Sequence, residues 1–353
     1  MRAPLRLLAL ALALVLLATA CGDSDDDSAS SSASGSASEP AETEAPAETE
    51  APAETDAPAE TEAPAEETAE TKEFTDDLGR TVEVPVAPRR IVAFNEFSHV
   101  EPLLALGAPV IGSTVQENGE INGPTAAAYD VSGVTPIGGF GEINVEAIAE
   151  LQPDLILAYS FGGEWFHNVE PEVLQEIAPT VALDENQPRD DFHQAVADLV
   201  GFSDVLEEQR AEYLARLDEL RPQLPDGLSV LVLAGDFDGE VSAHTVLNPN
   251  PTAGIIVELG IPMAPIADSS DIYESRSTEL LLEDEFLSDL ILYEARGETV
   301  VDLPLWGQLP AVQAEQAFSI PTAAGTSYAH SLVVLDQLEP ILLGADADVF
   351  AEG

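Results

Sequence analysis

The chain has 353 residues, with 66 acidic against 12 basic side chains and a formal net charge of −54 at pH 7. Residues 73–353 carry 50 of those acids and nine arginines, a net −41, which excludes nucleic-acid binding through a basic patch. A single cysteine excludes a disulfide framework, and carboxylates in such excess with one lysine point to a salty milieu that screens their repulsion.

The first element is a leader. Arg2 and Arg6 precede an apolar run from Leu7 to Leu17 and the small residues Ala18, Thr19 and Ala20. Residues 1–20 therefore read as a secretory signal, too short and wrongly flanked for a permanent span. Cys21, directly after the small residues, resembles the lipidation site of bacterial lipoproteins; a plain signal peptide beside a stray cysteine is the alternative. Residues 21–72 follow as a tether. The hexad Glu39-Pro40-Ala41-Glu42-Thr43-Glu44 recurs as Ala45-Pro46-Ala47-Glu48-Thr49-Glu50 and in near-copies through Thr68. Pro and Glu at this density leave no apolar face to bury, so an extended, disordered segment is expected.

Three further divisions are expected: an N-terminal α/β lobe over residues 73–190, a connecting helical segment over 191–224 and a C-terminal α/β lobe over 225–353. Phe74 to Pro85 alternates like a hairpin turning at Asp77–Gly79. Apolar runs at Ile91–Phe94, Pro109–Gly112, Asp154–Ala158 and Thr180–Leu183 read as strands, with a helix from Val100 to Leu106 stopped by Gly107. From Asp204 to Leu224 the residues Val205, Leu206, Tyr213, Leu214, Leu217, Leu220 and Leu224 follow helical spacing, and Pro222 marks an end or a kink. Strand and helix alternation resumes at Ser229–Ala234, Asp289–Tyr293 and Ala317–Ile320, before a closing helix from about Ser327 to Leu343.

Two segments echo each other. Asn144-Val145-Glu146 leads through a short helix to Asp154-Leu155-Ile156-Leu157, and Ser277-Thr278-Glu279 leads to Asp289-Leu290-Ile291-Leu292. Each reads as a capped helix with an early glutamate, then an apolar strand. The expected fold is α/β: two Rossmann-like lobes with mainly parallel sheets, joined by a single long α-helix, with a cleft between them.

In order and spacing, Asp77-Leu78-Gly79-Arg80-Thr81-Val82, Pro88-Arg89-Arg90-Ile91-Val92, Leu103-Leu104-Ala105-Leu106-Gly107, the two echoed segments, and Leu305-Trp306 with Leu309-Pro310-Ala311-Val312 resemble one family. It comprises the substrate-binding lipoproteins of ABC importers for ferric siderophores, cobalamin and haem. The resemblance implies an extracytoplasmic receptor, lipid-anchored through Cys21 and monomeric, which captures a small-molecule metal chelate and delivers it to a permease with its ATPase. It further implies that Glu146 and Glu279, one per lobe, dock on permease arginines. A helix-dipole role in the first turn fits the same two residues.

A ligand is expected at the carboxyl ends of the strands, where loops of the two lobes meet. The first lobe offers Asn95, Phe97, Phe140, Tyr159, Phe161 and Trp165; the second offers Phe237, His244, Tyr273, Arg276 and Trp306. Arg276 is the one arginine expected beside the cleft, either clamping a ligand oxygen or pairing with Glu274 or Glu279. A surface so acidic disfavours ferric catecholates and haem and favours a neutral or cationic chelate such as a ferric hydroxamate, with cobalamin open. No resident cofactor or metal site is expected, because the five histidines are scattered. A hydrolase lacks its motifs here: there is no Gly-x-Ser-x-Gly elbow, phosphate loop or zinc helix. An adhesion lipoprotein would explain the tether but not the matched lobes.

Overall fold

The computed structural model describes residues 70–350 apart from 97, 117, 122, 140, 185, 236–240, 245–250, 265–272, 277, 295–299 and 321–324. The leader, Cys21 and the tether through residue 69 lie outside the described residues. The expected hairpin opens it: β1 (Thr71–Thr75) pairs antiparallel with β2 (Thr81–Pro85). Gly79 turns the chain at φ +75°, and the Asp76 carboxylate accepts from the Arg80 backbone N–H and Nε, each at 2.9 Å. At the open end of the hairpin, Val86 N–H donates to the Glu70 carbonyl at 2.8 Å and Lys72 Nζ donates to the Asp198 carbonyl.

Strand and helix then alternate as β3 (Ile91–Ala93), α1 (Val100–Ala105), β4 (Val110–Val115), α2 (Gly123–Ala128) and β5 (Thr135–Gly139). They continue as β6 (Glu142–Ile143), α3 (Val145–Leu151), β7 (Leu155–Phe161), β8 (Glu164–Trp165), α4 (Pro171–Gln175) and β9 (Thr180–Asp184). Five of these strands form a parallel sheet in the order β5-β4-β3-β7-β9, with β6 and β8 folded back on the carboxyl ends of β5 and β7. Near-continuous apolar strands suit a sheet covered on both faces.

Two helices follow, the second being the long helix expected from Asp204. α5 (Arg189–Val200) stops at Gly201, and α6 (Ser203–Leu220) runs on for 18 residues, about 27 Å. Gly201 sits at φ +80° with space only for hydrogen, since a Cβ would lie 2.7 Å from the Val86 carbonyl oxygen. α6 ends before Pro222, which lies in a short 3-10 turn at Arg221–Gln223. Leu206, Tyr213, Leu217 and Leu220 are buried as the spacing predicts, whereas Leu214 is exposed.

The second lobe holds β10 (Val230–Gly235), β11 (Val241–His244), α7 (Pro251–Glu258), β12 (Met263–Ala264) and β13 (Tyr273–Arg276). It closes with β14 (Leu290–Glu294), α8 (Pro310–Gln313), β15 (Ala317–Ile320) and α9 (Tyr328–Gly344). Its sheet, β13-β11-β10-β14-β15 with β12 also on β10, is parallel from β10 to β15 and between β10 and β12. β11 runs antiparallel to both neighbours, because the five residues between it and β10 are too few for a crossover. The segment after Ser277 is not an α-helix either: it forms 3-10 turns at Thr278–Leu282 and Asp284–Phe286 with extended Glu283 between. Leu281 and Phe286 are both buried, five positions apart, a spacing that one α-helical face does not provide.

The echoed Asp-Leu-Ile-Leu segments do equivalent work. Asp154 precedes β7 and accepts from the N–H groups of Arg89 (2.7 Å) and Arg90 (2.9 Å), which lead into β3. Asp289 precedes β14 and accepts from Ser229 N–H (2.9 Å) and Oγ (2.6 Å), which lead into β10. In each lobe one carboxylate thus fastens the starts of the two central parallel strands. Alternation then divides each strand: Ile91, Ala93, Leu155, Leu157, Val230, Val232, Leu290 and Leu292 share one continuous core with α5, α6 and α9. Val92, Ile156 and Ile137 face a separate outer core in the first lobe, and Leu231, Leu233 and Ile291 face another in the second.

Asp289 is 3% exposed and also accepts from Phe350 N–H at 3.0 Å, whereas Asp154 is partly solvated. Asp289→Ala is expected to cost about 1–3 kcal/mol by urea unfolding, and Asp154→Ala an amount near the lower limit. Equal costs would contradict this account of the two fastenings.

Candidate functional site

All parallel strands of both sheets deliver their carboxyl ends to one side of their lobe. In the first lobe that rim begins at Asn95, which takes φ +66°, a left-handed conformation that asparagine tolerates better than most residues. Asn95 N–H donates to Thr114 Oγ1 at 2.9 Å, and that hydroxyl donates to Glu96 at 2.9 Å. Asn95 Oδ1 accepts from Ser98 N–H at 3.3 Å. Asn95, expected to face a ligand, is instead buried and shapes the loop that starts α1. Phe97 and Phe140 lie outside the described residues.

The β7–β8 hairpin places an aromatic group beside this loop. Tyr159 is buried, with His99 and Phe166 edge-on at ring-centroid distances of 5.6 and 5.8 Å. Phe161 and Phe166 are about half exposed, at 51% and 49%, and form the apolar surface of the rim. Trp165 serves as a wall: its indole N–H donates to the Val169 carbonyl at 2.7 Å and its ring packs on His167 at 5.1 Å. Phe166, His99 and His167 are missing from the sequence-derived list. Phe166 could have been found from its place beside Trp165 after the Gly162-Gly163 turn.

The two histidines are uncharged. His167 Nε2 accepts from Tyr159 N–H at 3.2 Å, and burial pushes its pKa down to about 4. His99 contacts Ser98 Oγ at 2.8 Å and the Leu183 carbonyl at 3.2 Å, and complete burial pushes its pKa down to about 3. The rim adds negative charge instead. Asp184 ends β9 and accepts from Gly163 N–H at 2.8 Å, while Asp184 N–H donates to Asp77 at 2.7 Å. Partial desolvation, with neighbouring Asp184 and Asp76, holds the Asp77 carboxyl above its usual range.

In the second lobe the backbone register places the candidates. Gly235 at the end of β10 pairs with Val241, which pairs with Arg276, so Arg276 stands level with the carboxyl end of the central strand. Tyr273 pairs with His244, three positions further from that end. Phe237 lies outside the described residues, as do the side chains of His244, Tyr273 and Arg276. Trp306 is part of the core: it is half-buried and meets Tyr293 edge-on at 5.3 Å, in the cluster around Leu309.

Glu146 and Glu279 are both exposed, each opening the crossover that leads from the carboxyl side of its sheet back to the strand beginning Leu-Ile-Leu. Asn144 caps the first crossover as expected, accepting from Ala147 N–H at 3.1 Å; Ser277 lies outside the described residues. Among the described residues no group of His, Cys, Asp and Glu side chains could hold a metal ion, and no helix is long and apolar enough to cross a membrane.

This architecture has known counterparts. A family model described as periplasmic binding protein matches residues 96–324. The putative ABC transporter substrate-binding lipoprotein YhfQ of Bacillus subtilis is 25% identical over 287 residues, 75% of this chain and 86% of that protein. The Fe(3+)-citrate-binding protein YfmC of the same organism is 28% identical over 254 residues, covering 69% and 76% of the two chains. Among solved structures, the siderophore periplasmic binding protein from the fuscachelin gene cluster of Thermobifida fusca superposes with a TM-score of 0.57 at 26% identity, covering 74% of this chain and 98% of that one.

The neutral histidines carry a pH signature. An unfolded histidine titrates near pH 6.5, so between about pH 6.5 and pH 4 the unfolded chain takes up protons that folded His99 and His167 do not. Their contribution to stability is complete above that window and is lost as pH falls through it. In urea unfolding at pH 5 to 6.5, His167→Gln should flatten the pH dependence by about one proton. An unchanged slope would show that His167 is charged in the folded protein.

Proposed function

The chain belongs to the periplasmic binding protein family, and from that premise we propose that it is the extracytoplasmic, lipid-anchored receptor of an ABC importer for an iron(III) chelate, with a ferric hydroxamate as the favoured cargo. The family is one of binding proteins rather than enzymes, and the work of this chain is capture and presentation. The observation that carries the reading is the matched pair of lobes. Each has a central strand pair fastened by an aspartate, and each has an exposed glutamate opening the crossover on the carboxyl side. Two carboxylates in equivalent places suit a two-fold partner such as a permease dimer.

The choice of cargo rests on charge. The described rim offers Phe161 and Phe166 as apolar surface, neutral His99 and His167 behind them, and the acidic Asp77–Asp184 pair at the side. Seven arginines with described surroundings are engaged or placed elsewhere; of the other two, Arg276 stands level with the carboxyl end of β10 and Arg296 lies outside the described residues. A polyanionic chelate meets repulsion in such a setting; a neutral or cationic one does not. The iron-citrate-binding relative supports the iron class while pointing to a more anionic cargo, so the two are tested side by side.

Tryptophan fluorescence of the full chain at high salt, titrated with ferric hydroxamate, ferric citrate, ferric catecholate, cobalamin and haemin, separates the readings. Saturable one-to-one quenching by the hydroxamate, absent with the iron-free ligand, is expected, and Arg276→Ala should then weaken it roughly tenfold. Quenching by citrate, catecholate, cobalamin or haemin alone would replace the cargo and keep the receptor. Silence with all five would overturn the chelate reading. Docking has its own test. Glu146→Arg and Glu279→Arg should each lower ligand-stimulated ATPase activity of the cognate permease and together abolish it, with cargo affinity unchanged; full stimulation by the double variant would remove these residues from the docking surface.

A further inference from the structure

The two lobes meet at a buried carboxylate. Glu101 lies in the first turn of α1, in the first lobe, and is 0% exposed. Its Oε1 accepts from Tyr129 Oη at 2.8 Å and from Ser327 Oγ at 2.6 Å; its Oε2 accepts from the N–H groups of Thr326 (3.2 Å) and Ser327 (3.1 Å). Thr326 and Ser327 belong to the second lobe, and Ser327 is the N-cap of the 17-residue α9, accepting from His330 N–H at 3.1 Å. Among the described residues no lysine or arginine pairs with Glu101, so four donors and the start of a long helix stabilise it in place of a cation.

The joint is closely fitted around that group. A Cβ on Gly325 would lie 2.6 Å from Glu101 Cδ, so only glycine lets the second lobe approach this near. On the other side of the segment, His193 Nε2 contacts the Thr326 carbonyl at 2.8 Å, and Tyr328 Oη donates to Asp190 of α5. Arg189 stacks over the Tyr328 ring at 4.7 Å and pairs with Glu258 of α7 at 3.0 Å. Residues 325–328 are therefore gripped by α1 and α5 together.

The position of the joint gives it a functional meaning. The loop from Asn95 to His99 runs from the carboxyl end of β3 directly into α1 and Glu101. In sequence, Gly325 and Ser327 come five and seven positions after Ile320, the carboxyl end of β15. The rims of both lobes thus lead within a few residues to the same carboxylate. We propose that Glu101 is a positioning residue that sets the angle between the lobes, and with it the width of the cleft and the spacing of Glu146 and Glu279. The assignment rests on the two-lobed receptor reading for its purpose, but its geometry is testable without any ligand. An amide at this position could accept at one atom only, and its NH2 group would face donors.

The test is the distance distribution between spin labels at Glu146→Cys and Glu279→Cys in the full chain carrying Cys21→Ser, measured by double electron-electron resonance. The background chain should give one narrow distribution; Glu101→Gln should shift or broaden it, and Gly325→Ala, which pushes a methyl into the carboxylate, should do the same. Ser229→Ala is the control, because it removes two partly buried hydrogen bonds to Asp289 inside one lobe: thermal stability falls and the distribution stays. If Glu101→Gln and Gly325→Ala behave like that control, losing stability with an unchanged distribution, the proposal is overturned. Should Glu101→Gln fail to fold, Ser327→Ala, which removes one of the four donors, carries the same comparison. Because no cargo is added, failure of the chelate reading cannot imitate either result.

Discussion

Both sheets turn one face of every central strand onto the same helices, and the rest of the molecule follows from that sharing. Strict alternation sends Ile91 and Leu155 of one lobe, and Val230 and Leu290 of the other, into a single apolar core with Leu217 of α6 and Leu335 and Leu338 of α9. Separating the lobes would expose that core, at a cost of about 25 cal/mol for each Å² of apolar surface. Motion between them is therefore confined to small adjustments of packed helices, of the shear type. Polar contacts at Glu101, His193 and Arg189 add direction to an attraction that has none of its own.

Much of this organisation was legible in the sequence because it is local. Strand runs, the alternating hairpin and the helix over Leu206, Tyr213, Leu217 and Leu220 are fixed by periodicity, and the repeated Asp-Leu-Ile-Leu disclosed two equivalent lobes. The repeat said nothing of what its aspartates do, since their partners at Arg89 and Ser229 lie 65 and 60 positions away. Departures occur as well: Leu214 lies outside the buried stripe, and the segment from Thr278 forms 3-10 turns broken by extended Glu283 where an α-helix was expected. At the rim, Asn95 Oδ1 and the Trp165 indole N–H each bond within their own loops. Glu101 was invisible at that level: its partner Ser327 lies 226 positions on.

Among the described side chains at the rim, the cation Arg80 stands over the Trp165 ring at 6.0 Å and is paired with Asp76. Burial keeps His99 and His167 neutral, and Asp77 and Asp184 share hydrogen bonds where a basic residue would suit an anionic cargo better. Selectivity in such a setting comes from what is repelled as much as from what is held. Salt tempers the effect, because the Debye length falls from about 10 Å at 0.1 M to about 3 Å at 1 M. In the proposed receptor, shape and apolar contact with Phe161 and Phe166 would carry a larger share of discrimination as salinity rises.

The first hairpin decides how the molecule is leashed. Its tip rests on Ala182 and Asp184 near the carboxyl end of β9, whereas its open end, where the chain enters, lies against Asp198 and Gly201 at the far end of α5. Under the proposed anchoring at Cys21, the leash is therefore fastened to the heel of the receptor while the cleft and the two glutamates are at its head. To meet a permease in the same membrane the body has to turn over, and the leash has to run at least its full height, roughly the 27 Å of α6. Residues 22–69 allow on the order of 150 Å at full stretch, several times that height. Under that anchoring, a leash of only a few residues would hold the receptor with its head turned away from its partner.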